Sequence, residues 1–307
     1  MNCPIALFAY RRPEHLRRVV ESLKENPEAA ETDLFIYCDA ARSSRDQAAV
    51  EAVRSYAKTV SGFRTITVIK RDKNFGLSKS ITEGVTSLCN KYGRVAVVED
   101  DVIVSKYFLY WVNAALNKYE TDDRVISVGC YVFPNQGAIR ENFFLGVTDC
   151  WGWAVWKRSW DLYEPDGEKL LNQLSLRRLN QHFDLDGAYP YTDMLRGQVN
   201  GENDSWAVRW YASAVLTGGL TIYPGESLTA NIGFDGSGFH CGVDSSYEVH
   251  LLDRPIELID IPVAESEKAR LVWADFLKQV GQGNSTESLL KRMRRWFKRK
   301  IALGACH

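Results

Sequence analysis

Three acidic residues, Glu99, Asp100 and Asp101, stand in a row directly after the apolar run at 95–98. Carboxylates crowded at the end of a buried strand repel one another and lose hydration, so they are unfavourable unless a cation balances them. Carboxylate oxygens are the ligands that Mg²⁺ and Mn²⁺ prefer, and these ions also bind diphosphates. The triplet therefore predicts a divalent-metal site that stabilises a leaving diphosphate. The alternative is a solvated turn before a helix, whose first turn favours acidic residues.

Strand-like and helix-like patterns alternate through the first third of the chain. The spacing of apolar residues predicts strands at 4–10, 34–38, 65–70 and 95–98 and helices at 13–23, 47–60 and 78–88. Strands that alternate with helices form a mainly parallel sheet with right-handed crossovers. Such sheets bind ligands at the carboxyl ends of their strands. Asp39 follows the second strand, so we expect it on the same edge of the sheet as the acidic triplet.

The composition is that of an ordinary globular protein. Of the 307 residues, 45% are hydrophobic and 25% are charged, which allows a sizeable core, and the net charge of −1 gives no overall attraction to nucleic acid. No apolar run reaches the length of about 18–20 residues that a membrane span needs, and residues 1–10 predict a buried strand rather than a signal peptide. The seven cysteines lack a CxxC pair, which favours free thiols in a reducing cytosol over a disulfide or zinc framework.

The run VAVVEDDVIVSKYFLYW resembles the metal-binding strand end of GT-A glycosyltransferases, and its EDD form is similar to the N-acetylglucosaminyltransferase I-type family. Other segments resemble that family in the same order, over roughly residues 3–245. They are PIALFAYRRPEHLRRVVESL, LFIYCDAA, NFGLSKSITEGV, FFLGVTDCWGWAVWKRSWDLYEP, NDSWAVRW and IGFDGSGFHCG. The ordered series is more specific than any one of its members. It implies a bacterial relative with an α/β fold of the GT-A, Rossmann-like type, in which helices flank a mainly parallel sheet.

The resemblance implies a role for each acid of the triplet. The last acid of the family motif ligates the metal, so Asp101 is the expected ligand of Mn²⁺ or Mg²⁺. The middle acid contacts the ribose side of the donor, which implies that role for Asp100. Glu99 lies beside them and is expected to contact the donor sugar.

The resemblance also implies how the donor nucleotide is held. The family has an arginine after its first strand that contacts the nucleotide; Arg11 matches it, with Arg12 as the alternative. The aspartate that ends the second strand contacts the uracil, which points to Asp39 and to a UDP-sugar. Lys79 and Asn74 are further residues that could face the donor, and a solvated surface position is the alternative for both.

Asp204 is the expected catalytic base. The family's base lies two residues before a tryptophan, as Asp204 lies before Trp206, and the acceptor hydroxyl needs a carboxylate to take its proton. Attack in line with the leaving group then inverts the anomeric carbon, as the family does. Glu202 is a competitor for the role, and an N-cap for the helix that follows is the structural alternative for Asp204.

Two further segments are expected near the substrates. The glycine-rich stretch at 233–242 predicts a mobile loop that closes over the donor and excludes water. Within it, His240 is either a contact to the diphosphate or metal or a structural histidine. Four tryptophans crowd 151–160; at least one is expected in the core, and Trp151 or Trp153 is expected to line an acceptor site.

The last segment that stands out is the basic run SLLKRMRRWFKRKI at 288–301. Its apolar residues recur at helical spacing and lysines and arginines cover the remainder, a pattern typical of a helix that lies on anionic membrane. The alternatives are a helix docked on the main domain and a partner-binding tail. We expect a glycosyltransferase domain over 1–265, with a nucleotide-sugar-binding half at 1–104 and a less regular acceptor-binding half at 105–265. A helical basic tail then spans 266–307.

These expectations combine into one function. The chain is expected to be an inverting, metal-dependent glycosyltransferase of the hexosyltransferase class. It would move a sugar, such as N-acetylglucosamine or a related hexose, from a UDP-sugar to a glycan hydroxyl in bacterial surface polysaccharide assembly. Its expected place is the cytoplasm, peripheral at the inner face of the membrane, with no nucleic-acid partner. The alternatives are a nucleotidyltransferase acting on sugar phosphates and a non-catalytic sugar-binding module.

Overall fold

The computed structural model describes residues 2–135, 137–236 and 245–283. Its first third is a run of alternating strands and helices, as the apolar spacing predicts. The strands are β1 (Ile5–Ala9), β2 (Asp33–Cys38), β3 (Thr65–Lys70) and β4 (Arg94–Glu99), and the helices are α1 (Pro13–Lys24), α2 (Gln47–Ala57) and α3 (Leu77–Tyr92). Short 3₁₀ turns at Pro27–Glu31 and Ser44–Asp46 complete the connections.

Local sequence explains where these elements begin and what they bury. Pro13 occupies the first turn of α1, where its missing N–H is not needed. Helix α3 ends at Gly93, whose φ of 76° is a left-handed value that glycine adopts without strain. Every residue of β1 is buried, because helices cover both faces of the sheet.

The second half is more regular than the sequence predicts, and it contains most of the helices. Its strands are β5 (Val102–Val104), β6 (Val125–Gly129), β7 (Phe143–Leu145), β8 (Trp153–Trp156), β9 (Leu220–Tyr223) and β10 (Thr229–Asn231). Its helices are α4 (Phe108–Lys118), α5 (Lys157–Trp160), α6 (Gly167–Leu176), α7 (Asn180–Phe183), α8 (Tyr191–Val199), α9 (Trp206–Thr217) and α10 (Glu267–Gly283).

Eight strands form one mixed sheet in the order β3-β2-β1-β4-β8-β6-β9-β7. The first four are parallel to one another, as predicted, and β8 joins β4 in the antiparallel direction with Trp153 opposite Val97. The start of β8 therefore lies at the carboxyl end of β4. Strands β5 and β10 form a separate antiparallel pair in which Val102 lies opposite Asn231.

Helix α10 occupies the beginning of the segment predicted as a tail. Its Trp273 is only 2% exposed and packs with Ala269 and Leu277 in the apolar cluster around β7. The predicted amphipathic segment at 288–301 lies outside the described residues. Every helix in the described ranges falls short, in length or in hydropathy, of what a membrane span requires. The cysteines in those ranges are free thiols, namely Cys3, Cys38, Cys89, Cys130 and Cys150.

Candidate functional site

The acidic triplet lies where β4 ends and turns into β5. Glu99 is the last residue of β4, and Asp100 and Asp101 form the turn. The main-chain N–H of Asp100 donates to the carbonyl of Phe8 at 2.9 Å, and the N–H of Ile232 donates to the carbonyl of Asp101 at 2.7 Å. The turn is therefore held between β1 and the residues that follow β10.

Arg12 is the cation that reaches this turn. Its Nε donates to Oδ1 of Asp100 at 3.1 Å and its Nη2 to Oδ2 of Asp101 at 2.8 Å. The other oxygen of Asp100 accepts from the main-chain N–H of Tyr10 at 3.0 Å. Burial opposes the charge of Arg12, but the two carboxylates outweigh it and raise its pKa. Arg12 thus clamps both aspartates, and the assignment of Arg11 or Arg12 to the donor nucleotide stays a prediction.

Four carboxyl groups interact electrostatically in this site, and two of them, Asp100 and Asp101, share the guanidinium of Arg12. Burial, followed by the charges of Asp101 and Asp100, raises the pKa of Glu99 well above its usual range. Burial also raises the pKa of Asp100, although Arg12 opposes the rise. The fourth group is Asp149, whose charge adds to the rise at Glu99 and whose own pKa burial raises to about 7. Burial thus biases Glu99 and Asp149 toward their neutral forms, while Asp100 and Asp101 share one guanidinium.

This donor set fits a divalent cation bound mainly through its substrate. Within the described ranges, no three His, Cys, Asp or Glu side chains are arranged as a preformed metal cage. Magnesium-type sites commonly use one or two carboxylates together with substrate phosphates and water. Asp101 suits that arrangement, because its side chain keeps 14% of its surface exposed whereas that of Asp100 keeps 5%.

Gly233, the first glycine of the glycine-rich stretch, lies against the acidic turn. A Cβ atom at this position would fall 2.4 Å from Oδ2 of Asp101, and the residue's N–H donates to Oδ1 of Asn231 at 2.7 Å. Any other residue at 233 would therefore place its Cβ atom against the Asp101 carboxylate. The stretch at 237–244, which includes His240, lies outside the described residues.

Asp39 is on the same edge of the sheet, as predicted. Its main-chain N–H donates to the carbonyl of Ala9 at 3.1 Å, next to the residue of β1 that holds Asp100. Its carboxylate accepts from the main-chain N–H groups of Phe75 and Gly76, both at 2.9 Å, and from Nδ2 of Asn74 at 3.1 Å. Asp39 therefore fixes the loop that leads into α3.

Arg11 and Lys79 point to other partners. The Nη1 atom of Arg11 lies 2.9 Å from Oδ1 of Asp46, at the 3₁₀ turn before α2. Lys79 is 54% exposed; its Nζ lies 3.5 Å from Oε1 of Glu83 and 4.5 Å from the ring centre of Phe75. Lys79 is thus on the loop side of the site, beside the residues that Asp39 organises, and Arg11 pairs with Asp46 before α2.

Asp204 lies just before α9. Its side chain is 66% exposed, and Nη2 of Arg209 is 3.5 Å from its Oδ1. The helix is capped by Ser205, whose Oγ accepts from the N–H of Val208 at 3.2 Å, so Asp204 is not the N-cap. Trp206 stacks on Trp153 with ring centres 5.3 Å apart, which places the start of α9 at the carboxyl edge of β4.

The four tryptophans at 151–160 include buried ones, as the sequence predicts, and the acceptor-site role of Trp151 or Trp153 stays a prediction. Trp153, Trp156 and Trp160 are buried, whereas Trp151 is partly exposed. Asp149, two residues before it, is the site residue that sequence reasoning missed. Its position just before a strand rich in tryptophan could have indicated it. Its place near the triplet, however, follows from the antiparallel pairing of β8 with β4, which the sequence does not show.

Sequence comparisons with known proteins found no match, and a structural comparison found a distant likeness. No family model matches the sequence, and no curated protein matches it. Among solved structures, the crystal structure of S. aureus TarS aligns with 51% of this chain at 14% identity and a TM-score of 0.36. This chain covers 28% of the length of that chain. A likeness this distant supports no inference about activity, which depends on the site described above.

Proposed function

We propose that this protein is an inverting, metal-dependent glycosyltransferase that transfers a hexose or N-acetylhexosamine from a UDP-sugar to a glycan hydroxyl. One observation carries the proposal, namely the acidic triplet at the carboxyl end of β4, in which Asp100 and Asp101 share the guanidinium of Arg12. Two carboxylates beside one guanidinium in a partly buried site favour a further cation. A cation bound there would be shared with a diphosphate, which matches a nucleotide-sugar donor.

The metal would be held by Asp101, whose side chain is more exposed than that of Asp100. When bound, Mn²⁺ or Mg²⁺ supplies Lewis-acid stabilisation of the departing diphosphate. Asp100 accepts hydrogen bonds from Arg12 and Tyr10 and so keeps the turn in position beside the ribose. Glu99, which burial biases toward its protonated form, can donate a hydrogen bond to a sugar hydroxyl.

The donor base would lie on the loop that Asp39 orders. That loop presents Phe75, with Arg71 above its ring at 4.4 Å and Lys79 at 4.5 Å from its centre. A planar aromatic side chain flanked by cations offers a surface for a uracil ring and its attached phosphates. Both carboxylate oxygens of Asp39 accept hydrogen bonds from the main chain of this loop. Asp39 is therefore expected to help bind uracil partly by holding the loop in place.

The transfer step needs one group that accepts the proton of the acceptor and one leaving group, the diphosphate. The acceptor oxygen forms a bond to the anomeric carbon from the face opposite the diphosphate, and the bond from that carbon to the diphosphate oxygen breaks with its electron pair. The acceptor proton moves to a carboxylate, for which we propose Asp204 at the start of α9. Its high exposure and the loose contact with Arg209 leave an oxygen available to an acceptor.

The cellular role that we propose is glycan assembly at the inner face of a bacterial membrane. The basic amphipathic pattern at 288–301 supports it, because such a segment is attracted to anionic lipid and would bring the enzyme to a lipid-linked acceptor.

Incubation with a panel of nucleotide sugars, with and without Mn²⁺, tests the proposal. We expect slow, metal-dependent hydrolysis of one UDP-sugar, measured as release of UDP and free sugar. A nucleotidyltransferase would instead join a nucleoside triphosphate to a sugar phosphate and release pyrophosphate. A non-catalytic module would bind a saccharide without turnover of any donor. Either of these results would overturn the proposal.

A further inference from the structure

Two chain segments carry an aromatic ring to the edge of the acidic site. Trp151 comes two residues after Asp149, and Phe234 comes directly after Gly233. The two rings meet edge to face with centres 5.5 Å apart. Tyr247 joins them, stacked on Phe234 at 5.2 Å and edge-on to Trp151 at 5.5 Å. All three rings are partly exposed, and we call them the aromatic wall.

The aromatic wall has a rigid backing. Tyr131 is fully buried behind it, with its ring centre 4.7 Å from that of Trp151 and its hydroxyl donating to the carbonyl of Tyr247 at 2.8 Å. The carbonyl of Trp151 accepts from the hydroxyl of Thr229 on β10 at 2.5 Å. Partly exposed aromatic rings held this firmly are typical of a binding surface rather than of a core.

Asp149 connects the aromatic wall with the acidic triplet, because it lies two residues before Trp151 and its charge acts on Glu99. Its Oδ2 accepts from the main-chain N–H of Trp151 at 3.2 Å, and the partners seen for its carboxylate are main-chain N–H groups. Each carboxylate oxygen can accept a second hydrogen bond. Asp149 also lies close enough to Glu99 for its charge to raise that residue's pKa. Burial raises its own pKa to about 7, so either hydrogen-bonding role is open to it at neutral pH.

We propose that Asp149 and the aromatic wall form the acceptor subsite, which binds one pyranose unit of a glycan. The ring's C–H face lies against Trp151, and a ring hydroxyl hydrogen-bonds to the Asp149 carboxyl. This inference rests on the proposed glycosyltransferase function, since the neighbouring acidic triplet is there the donor site. A lipid chain is a poorer occupant, because it would desolvate Asp149 without offering a hydrogen bond. A sugar has both the apolar face and the hydroxyls that this arrangement can pair.

Saturation-transfer NMR on the full chain tests the subsite without a donor. The probes are the methyl glycosides of glucose, galactose, mannose and N-acetylglucosamine. We expect transfer to the ring C–H protons of at least one glycoside, and quenching or a shift of tryptophan fluorescence by the same compound. Trp151→Ala should abolish the transfer, and Asp149→Ala should weaken binding about tenfold, the scale of one lost hydrogen bond to a charged group.

Two controls separate this proposal from its alternatives. Tyr110→Ala removes another exposed aromatic, 45% accessible on α4, and should leave glycoside binding unchanged.

Calorimetry of UDP with Mn²⁺ reports the donor site alone. Glycoside binding without UDP binding would contradict the proposed function but keep the subsite. UDP binding with no glycoside signal, or with a signal that survives both Trp151→Ala and Asp149→Ala, would overturn the subsite. Saturation transfer to the alkyl chain of a detergent, with none to a sugar ring, would count against it equally.

Discussion

The backbone of Gly233 packs against the carboxylate of Asp101, so closely that a Cβ atom at 233 would lie 2.4 Å from Asp101 Oδ2. The neighbouring N–H of Ile232 donates to the carbonyl of Asp101 at 2.7 Å and fixes this contact. The next residue, Phe234, belongs to the aromatic wall. One short segment after β10 therefore touches both the proposed metal ligand and the proposed acceptor subsite.

Gly233→Ala should impair the metal site while leaving the fold intact. The backbone of Gly233 is not in the left-handed region, so alanine adopts it without strain. The new methyl group would clash with Oδ2 of Asp101 and lie 3.0 Å from Nη1 of Arg12 and 3.1 Å from Oδ1 of Asn231. We expect at least about tenfold weaker binding of UDP in the presence of Mn²⁺, measured by calorimetry. The melting temperature should move little. Wild-type affinity in the variant would show that Asp101 is not held by this contact.

Asp101→Ala should abolish the metal-dependent part of donor binding. Arg12 would still clamp Asp100, so the turn should keep its shape while the accessible ligand is lost. Calorimetry with UDP, with and without Mn²⁺, gives the measurement. Asp161→Ala is the matched control, since this acid is 57% exposed and pairs with Lys157 at 2.7 Å. Equal Mn²⁺ dependence in wild type and Asp101→Ala would remove Asp101 from the metal.

Asp204→Asn should slow transfer by about 10²–10⁴-fold, the usual contribution of a general base. The affinity for the donor should barely change, because the carboxylate acts on the other substrate. Glu202→Gln is the matched control, an exposed acid two residues earlier. Turnover at the wild-type rate in Asp204→Asn, with a loss in Glu202→Gln, would transfer the role to Glu202.

Asp149 should make the fold less stable as the pH rises. Its folded-state pKa of about 7 is above the usual value of 3.8, so the folded chain keeps this proton where the unfolded chain has lost it. Stability attributable to Asp149 is therefore complete below about pH 4 and is lost progressively up to about pH 7. Asp149→Asn, which stays uncharged, should raise the melting temperature at about pH 8 and change it little at about pH 4. An equal change at both pH values would contradict the assignment.

The sequence predicts the first half of the fold because each of its strands and helices shows its own spacing of apolar residues. The run TITVIK gives β3 with the correct bounds, and Asp39 is placed on the correct edge by the parallel order alone. Helices α6 to α8 are not predicted, although α6 buries Leu170 and Leu174 at helical spacing. Asp149 was missed for a different reason: β8 pairs with β4 across a long stretch of chain, and no local pattern reports that pairing. That Arg12 rather than Arg11 pairs with Asp100 likewise depends on side-chain direction, which no local pattern reports.

The basic run at 288–301 should bind the protein to anionic membrane. Each lysine or arginine near anionic lipid adds about 1 kcal/mol of attraction, and salt screens this part. Burial of Trp296, Phe297 and their apolar neighbours should leave a part that resists salt. Cosedimentation with neutral and anionic vesicles, at low and high salt, measures both parts.

A chain that ends after residue 285 is the informative variant. It keeps α10 and the buried Trp273, so the main domain should remain folded, with an unchanged melting temperature. It should no longer sediment with anionic vesicles. Turnover with a short water-soluble acceptor should survive, whereas turnover with a lipid-linked acceptor should fall because the enzyme is no longer concentrated at the membrane. If the intact protein binds both kinds of vesicle equally, or neither, the segment has no electrostatic membrane role, and a helix that packs on this domain or on a partner protein becomes the better explanation.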